Sequence, residues 1–211
     1  MNTLYPVFLK LSEKNCLVVG GGKVALQKIR SLLEAETRLT VISPELVPEL
    51  EEWATAGRFE LRRRRFQPGD LEGFFLVVGA TNDRGTNRQI REEALERRVV
   101  CNVVDDPELC DFYVPSIHTS GDLKIAISTN AKSPAISKKL RREMAELYGP
   151  RAAEALELFH QAREAMKADR AGYEERSRAL SALLEDHPLY ALEREGEDGI
   201  RRLKEALKPW I

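Results

Sequence analysis

Two short stretches of this chain combine residue types and spacing that suit chemistry. The first is Gly20-Gly21-Gly22-Lys23-Val24-Ala25, which closes the apolar run Cys16 to Val19 and opens an amphipathic one. A phosphate needs backbone N–H donors and close approach of the chain. Glycines supply both, and the N-terminus of the following helix adds partial positive charge. The frame Gly20-x-Gly22-x-x-Ala25 fits the dinucleotide fingerprint in its Gly/Ala variant; a glycine-rich turn that binds nothing is the alternative. The second stretch is Asn102-Val103-Val104-Asp105-Asp106-Pro107. Asp105 is the first acid past an apolar run, so it emerges at the rim of any crevice there. A carboxylate in that position suits a general base, while Asp-Asp-Pro also serves as ordinary strand-terminating turn chemistry.

Further polar residues fall at the ends of the other apolar runs. Ser43-Pro44-Glu45 follows the second one, where a dinucleotide site holds its ribose hydroxyls. Ser43 suits a ribose hydrogen bond, and no arginine follows at once to receive a 2′-phosphate, which favours NAD over NADP. Ala80-Thr81-Asn82-Asp83 follows the third, so Thr81 and Asn82 are expected near the cofactor; a helix cap is a compatible reading. Arg62 to Arg65 alternate faces on a strand and read as a solvated, ion-paired edge. His118, His160 and His187 are far apart and lack metal-ligand spacing, as do Cys16, Cys101 and Cys110. No protein metal site is expected.

The elements that must position these residues alternate. Strands are expected at 15–19, 39–43, 59–66, 74–80 and 99–104, with helices at 24–34, 46–56 and 86–97. This pattern argues for an α/β fold, a Rossmann-type parallel sheet with helices on both faces. Near residue 111 it changes. Two strands, 112–117 and 123–129, flank a turn at His118 to Asp122. A helix then starts with Ser133 as N-cap and Pro134 at its first position, ending near Tyr148. The remainder is helix-rich, with one apolar stripe of Leu156, Phe159, Ala162 and Met166 and another of Leu180, Leu183 and Leu184. Three segments are expected: 1–112 as the nucleotide-binding domain, 113–150 as a small α+β segment, to which the resemblance named below assigns dimerisation and the active site, and 151–211 as a helical domain.

The chain has 211 residues, 43% hydrophobic and 32% charged, with a formal net charge of −1. Such a balance provides no field that draws nucleic acid or an anionic membrane surface, and no apolar run reaches the length of a bilayer span. Met1 to Pro6 lacks the basic and apolar regions of a secretory signal. Unpaired cysteines suit a reducing compartment, so a cytoplasmic setting is expected.

At this point the chain resembles a known family, the precorrin-2 dehydrogenase and sirohydrochlorin ferrochelatase family, also found as the N-terminal module of siroheme synthases. The matching residues are Tyr5 to Leu9, Val18 to Ala25, Leu39 to Pro44, Ala80 to Asp83, Cys101 to Asp105, Phe112 to Ile117 and Ile127 to Pro134, in the family's order and spacing. The resemblance implies NAD-dependent oxidation of precorrin-2 to sirohydrochlorin, with ferrochelatase activity on Fe²⁺ in some members, and a homodimer. It implies that Asp105 is catalytic and that Lys23, Val24, Pro44 and Glu45 contact the cofactor. Thr129 stands where some members carry a cleft serine, and Asn102, Ser128 and Ser133 are expected with it to face the substrate. Lys132, Lys138, Lys139 and Arg141 are candidate cations for its carboxylates, with an exposed basic helix face as the alternative, and the helix start at Ser133-Pro134 is the preferred anion site. No methyltransferase segment follows Ile211, so precorrin-2 is expected from another protein. A nucleotide-sensing module without chemistry is the competing reading.

Overall fold

A computed structural model describes residues 4–168 and 172–211. The chain folds as two units, one spanning Tyr5–Val114 and the other Pro115–Ile211 together with Leu4.

The first unit is built on a parallel sheet. In chain order its elements are β1 (Asn15–Val19), α1 (Lys23–Glu34), β2 (Arg38–Ile42), α2 (Pro48–Thr55), β3 (Glu60–Arg62), β4 (Leu76–Gly79), α3 (Arg84–Arg97) and β5 (Val100–Val103). The strand order is β3-β2-β1-β4-β5, with every pairing parallel. This is the doubly wound, Rossmann-like arrangement that the alternating pattern predicts. The strands are almost wholly buried because helices cover both faces. One core layer gathers Val18, Ala25, Ile29, Leu32, Val41, Leu50 and Val78. The opposite layer gathers Leu17, Val19, Leu71, Val77, Ile90, Ala94 and Val103.

Chain reversal between β1 and β4 sets the functional end of the sheet. In register, Val19 lies beside Gly79, and Gly79 beside Val103. The backbone continues this stitching past the strands: Ala80 N–H donates to the Val19 carbonyl at 2.8 Å, and Val104 N–H to the Gly79 carbonyl at 2.9 Å. The residues after β1, β4 and β5 therefore leave the sheet side by side, spaced about 4.8 Å per strand.

Two expectations for this unit need correction. The strand expected over 59–66 is only three residues long, because β2 offers no partner beyond Ile42 once Ser43-Pro44 leaves the sheet. Arg64 N–H then folds back to the Arg62 carbonyl, and Asp70 clamps the Arg64 guanidinium through two bonds of 2.6 and 2.7 Å. The expected helix over 46–56 starts later, at Pro48, because Val47 N–H is bonded to the Gly21 carbonyl.

The second unit opens with a hairpin, β6 (Ser116–Ser120) and β7 (Leu123–Ile127), followed by α4 (Pro134–Leu147), α5 (Pro150–Ala168), α6 (Tyr173–Asp186), α7 (Leu189–Glu195) and α8 (Glu197–Leu207). The first hairpin strand lies four residues later than expected at its start. The segment before it runs along β5 instead, held by the Asp111 N–H bond to the Cys101 carbonyl at 2.8 Å. His118 is accordingly a strand residue rather than a turn residue. It is buried, with Nε2 2.6 Å from the Tyr148 carbonyl. The helical core is Ala155, Leu158, Ala162, Leu192, Ile200, Leu203 and Leu207. Within the expected stripes, Ala162 and Met166 are buried, whereas Leu156 and Leu184 are exposed. Ala152, Ala155 and Leu158 lie on the true inner face of α5. The start of α5 is capped by Glu193 of α7, whose Oε1 accepts the Arg151 and Ala152 N–H groups at 2.8 and 3.1 Å.

Candidate active site

The three glycines do three different things. Gly20 has φ +127°, and a Cβ there would lie 2.3 Å from the Ala80 carbonyl oxygen, so the turn off β1 requires glycine. A Cβ on Gly21 would meet the Glu45 carbonyl oxygen at 2.0 Å and Ser43 Oγ at 2.7 Å. The loop after β2 thus packs directly on the glycine loop. Around Gly22 nothing lies within 4 Å of a Cβ position. Gly22 is also the N-cap of α1, and no side chain caps that helix. Open space above uncapped helix N–H groups fits the pyrophosphate of a dinucleotide. Lys23 and Val24 are exposed at the same mouth, while Ala25 is buried where α1 closes on the sheet.

At the end of β2, Ser43 is buried and donates its hydroxyl to the Glu45 carbonyl at 2.6 Å. Its proton is spent within its own turn, so it retains only an acceptor role toward a ribose. Pro44 and Glu45 are exposed. Past β4, Thr81 Oγ1 donates to Asn87 Oδ1 at 2.7 Å, and Asn87 Nδ2 returns a bond to the Thr81 carbonyl at 3.1 Å. Asp83 caps α3 by accepting from Gly85 N–H and Thr86 Oγ1. The Thr86 hydroxyl and Gly85 N–H hold its carboxyl below the usual carboxylate range. Asn82 alone of this turn presents an exposed side chain with no hydrogen bond from the described residues.

Asp105 follows β5 in a left-handed conformation, φ +62°, with its side chain exposed. Aspartate tolerates this region better than most residues. Asn102, expected to face substrate, is buried instead. Its Nδ2 donates to the Phe112 carbonyl at 2.9 Å and lies 3.4 Å from Cys110 Sγ. Its amide fastens the 110–112 segment to β5. Cys110 Sγ reinforces this clasp, accepting the Val103 N–H at 3.3 Å and donating to the Val103 carbonyl at 3.1 Å. Asp111 completes it by accepting Cys101 N–H at 3.0 Å and Arg91 at 2.7 Å.

Lys28 is a half-buried cation that the spacing of motifs did not single out. It sits on α1, and burial pushes its ammonium down from the ordinary lysine value while Asp105 and Cys110 pull it back up. Its helical position between Ala25 and Leu32 was the available signal.

In the second unit, Ser133 caps α4 through Oγ to Ile136 N–H at 3.3 Å, as its position before Pro134 predicts. Thr129 Oγ1 accepts Ser133 N–H at 3.3 Å and donates to the Ser133 carbonyl at 3.2 Å. Ser128 is exposed, and its Oγ accepts Asn130 N–H. The turn between them carries Asn130 and Ala131 at φ +54° and +59°. Of the four arginines expected at a solvated edge, Arg62, Arg63 and Arg64 pair with Glu60, Glu51 and Asp70.

Comparison with known proteins gives this geometry a lineage. The family described as "Putative NAD(P)-binding" matches residues 7–116, more than half of the chain. The chain belongs to this family. A second family, described as "Sirohaem biosynthesis protein central", matches residues 120–147. A siroheme synthase of Methylobacillus flagellatus is 42% identical over 171 residues, covering 79% of this chain and 36% of that protein. Siroheme synthase 3 of Aeromonas hydrophila is 40% identical over 179 residues, covering 85% of this chain and 38% of that protein. The chain thus spans little more than a third of the length of these curated relatives. Among solved structures, "SirC, precorrin-2 dehydrogenase" shares the fold, with a TM-score of 0.80 at 23% identity over 98% of this chain and all of that one. Among the described residues, no helix is long and apolar enough to cross a membrane.

Proposed function

We propose that this chain oxidises precorrin-2 to sirohydrochlorin, with NAD as hydride acceptor. The observation that carries the reading is Asp105, a carboxylate held in an uncommon backbone conformation two strands from an open, uncapped glycine loop. The two family matches, one for nucleotide binding and one for sirohaem biosynthesis, support it in a single chain. Gly20, Gly21, Gly22, Lys23, Val24 and Ala25 form the phosphate cradle in this reading. Pro44 and Glu45, with Ser43 as acceptor, border the ribose, and Thr81 and Asn82 flank the nicotinamide side.

The dehydrogenation removes a hydride and a proton from the reduced macrocycle. Bound NAD supplies the hydride acceptor. Asp105 takes up the proton and, being exposed, passes it to solvent. The substrate's carboxylates call for N–H donors and cations. Ser128 and Ser133 offer hydroxyl donors, Thr129 holds the turn between them, and Lys132, Lys138 and Arg141 supply the charge. Asn102 acts behind Asp105 by fastening the 110–112 segment.

Incubation with precorrin-2 and NAD tests this directly. Sirohydrochlorin absorbance and NADH should appear together. NAD binding without turnover would overturn the reading in favour of a nucleotide-sensing module. Two finer statements belong to the same proposal. The 113–150 segment forms a homodimer interface, supported by exposed Val114, Ile117, Ile136 and Leu140, and a monomer in sedimentation at micromolar concentration would refute it. Fe²⁺ is a second substrate, and a metal-insertion rate into sirohydrochlorin equal to the protein-free control would refute that. A cytoplasmic setting accords with the free thiols Cys16, Cys101 and Cys110.

A further inference from the structure

The two faces of the parallel sheet are covered unequally. On the first, α1 and α2 supply Ala25, Ile29, Leu32 and Leu50. On the second, α3 supplies Ile90 and Ala94, and Phe66, Leu71 and Phe74 complete the cover. These three come from the stretch that joins β3 to β4, where a parallel crossover usually forms a helix and this one does not. Side chains alternate along a strand. Leu17 and Ile42 mark the second face, so Asn15, Arg38 and Thr40 share it. Glu60 and Arg62 stand opposite Thr40 and Ile42 on β3. Beside the helix-free crossover these polar residues line a cavity of about 390 Å³, walled by Glu72, Gly73 and Phe74. Small-molecule sites run from about 300 to about 1,000 Å³. Asn15 Nδ2 fastens the wall by donating to the Gly73 carbonyl at 3.1 Å. The cavity lies at the strand starts, one strand length, or about 16 Å, from the glycine loop.

The charges around this cavity are of two kinds. Glu60 and Arg62 satisfy each other through a 2.9 Å bond from Arg62 Nε. Glu60 also accepts the Thr40 hydroxyl at 3.4 Å, and the Arg62 guanidinium lies 5.9 Å from the centre of the Phe74 ring. Arg38 and Glu72 are opposite in sign and border the same cavity. Among the described residues, neither makes an ion pair or a side-chain hydrogen bond. A single unpaired surface charge is ordinary. Here one of each sign is left open, Arg38 on the sheet and Glu72 on the connecting stretch, with the cavity between them. Together they offer a donor fork for a carboxylate and an acceptor for an ammonium. The half-buried Phe74 and the buried Thr40 add apolar surface.

We propose that this cavity binds a small dipolar molecule of the amino-acid class, with its carboxylate on Arg38, its ammonium on Glu72 and its side chain against Phe74. The site is separate from the nucleotide crevice, so its occupant and NAD bind together. Such binding needs no turnover and stands apart from the assignment of Asp105.

L-phenylalanine is the probe. In protein labelled with ¹³C at threonine methyl groups, the Thr40 resonance is assigned by its loss in Thr40→Ser and followed as the amino acid is added. It should shift and saturate with a dissociation constant of about 1 mM, whether or not NAD is present. Phenylethylamine, which lacks the carboxylate, and phenylpropionate, which lacks the ammonium, should each bind about tenfold more weakly. Arg38→Gln should weaken phenylalanine about tenfold and leave phenylethylamine within about twofold. Glu72→Gln should weaken phenylalanine similarly and spare phenylpropionate. A Thr40 resonance unmoved at about 20 mM phenylalanine overturns the proposal, as do analogues that bind as well as phenylalanine. A response abolished by NAD would put the amino acid in the crevice and overturns it too. Should either variant fail to fold, the comparison of the three compounds on the wild type decides.

Discussion

The two ends of the candidate crevice are made of different materials. The glycine loop after β1 is a backbone site, shaped by the absence of side chains at Gly20, Gly21 and Gly22 and by the uncapped start of α1. The turn after β5 is a side-chain site, assembled from Asp105, Asn102 and Cys110. A backbone site is encoded in consecutive residues, and its function follows from local geometry. A side-chain site is encoded by convergence, and each member acts only through what the fold places beside it.

The largest expected effect breaks the site at its side-chain end. Asp105→Asn keeps a residue that tolerates the left-handed conformation and removes only the charge. Turnover should fall about 10²- to 10³-fold, with NAD affinity within about twofold and an unchanged melting temperature. Asp105→Ala should lose the same activity and about 1 kcal/mol of stability besides. A near wild-type rate in Asp105→Asn would remove the carboxylate from the chemistry.

The next pair divides the backbone end within itself. Gly21→Ala drives a Cβ into the Glu45 carbonyl and should cost about 3 kcal/mol, read by thermal denaturation. Gly22→Ala meets no protein atom. It should leave stability within about 1 kcal/mol while weakening NAD about tenfold, read by titration of intrinsic fluorescence. Equal stability losses would mean that Gly22 is scaffold rather than cradle.

A smaller effect belongs to a side-chain cluster remote from the reaction. Burial pushes Asp70 up, but the hydrogen bonds from Arg64 and from Gln67 N–H outweigh it and hold its carboxyl below the usual range. A depressed value stabilises the fold above the unfolded aspartate value of about 3.9 and is lost as pH falls through the folded value. Asp70→Asn should therefore cost about 2 kcal/mol at neutral pH, and the difference from wild type should shrink as the pH drops below about 3.9. NAD affinity should not change. The smallest effect is at Ala131. Relief of its left-handed strain by Ala131→Gly, offset by glycine's greater chain entropy, should stabilise by about 0.5 kcal/mol, visible as a slight rise in melting temperature.

The same distinction explains what could be read before the fold was known. The apolar runs that became β1, β2, β4 and β5, and the helix starts at Lys23 and Pro134, are local signals and lie within one or two residues of expectation. The end of the strand after Phe59 is not local, because it depends on β2 running out of backbone to pair with. Asn102 looked like a crevice residue from its place near a strand end. Its amide turned inward because the chain ten residues later supplies the Phe112 carbonyl. His118 left its expected turn for a strand for a similar reason, since the preceding segment was taken up along β5.

The sheet also holds a built-in set of chemical reporters. Burial raises the Cys16 and Cys101 thiols to about 11, and it raises Cys110 as well. Thiolates are the species that alkylating reagents attack, so the folded protein is protected on the central strand β1, on the edge strand β5 and at the clasp that secures β5. Cys110, the least enclosed of the three, becomes reactive when the 110–112 segment lifts away. Cys16 and Cys101 do so only when the sheet itself opens. The order in which the three are modified thus measures, on one molecule, how independently the β5 edge can breathe from the rest of the sheet.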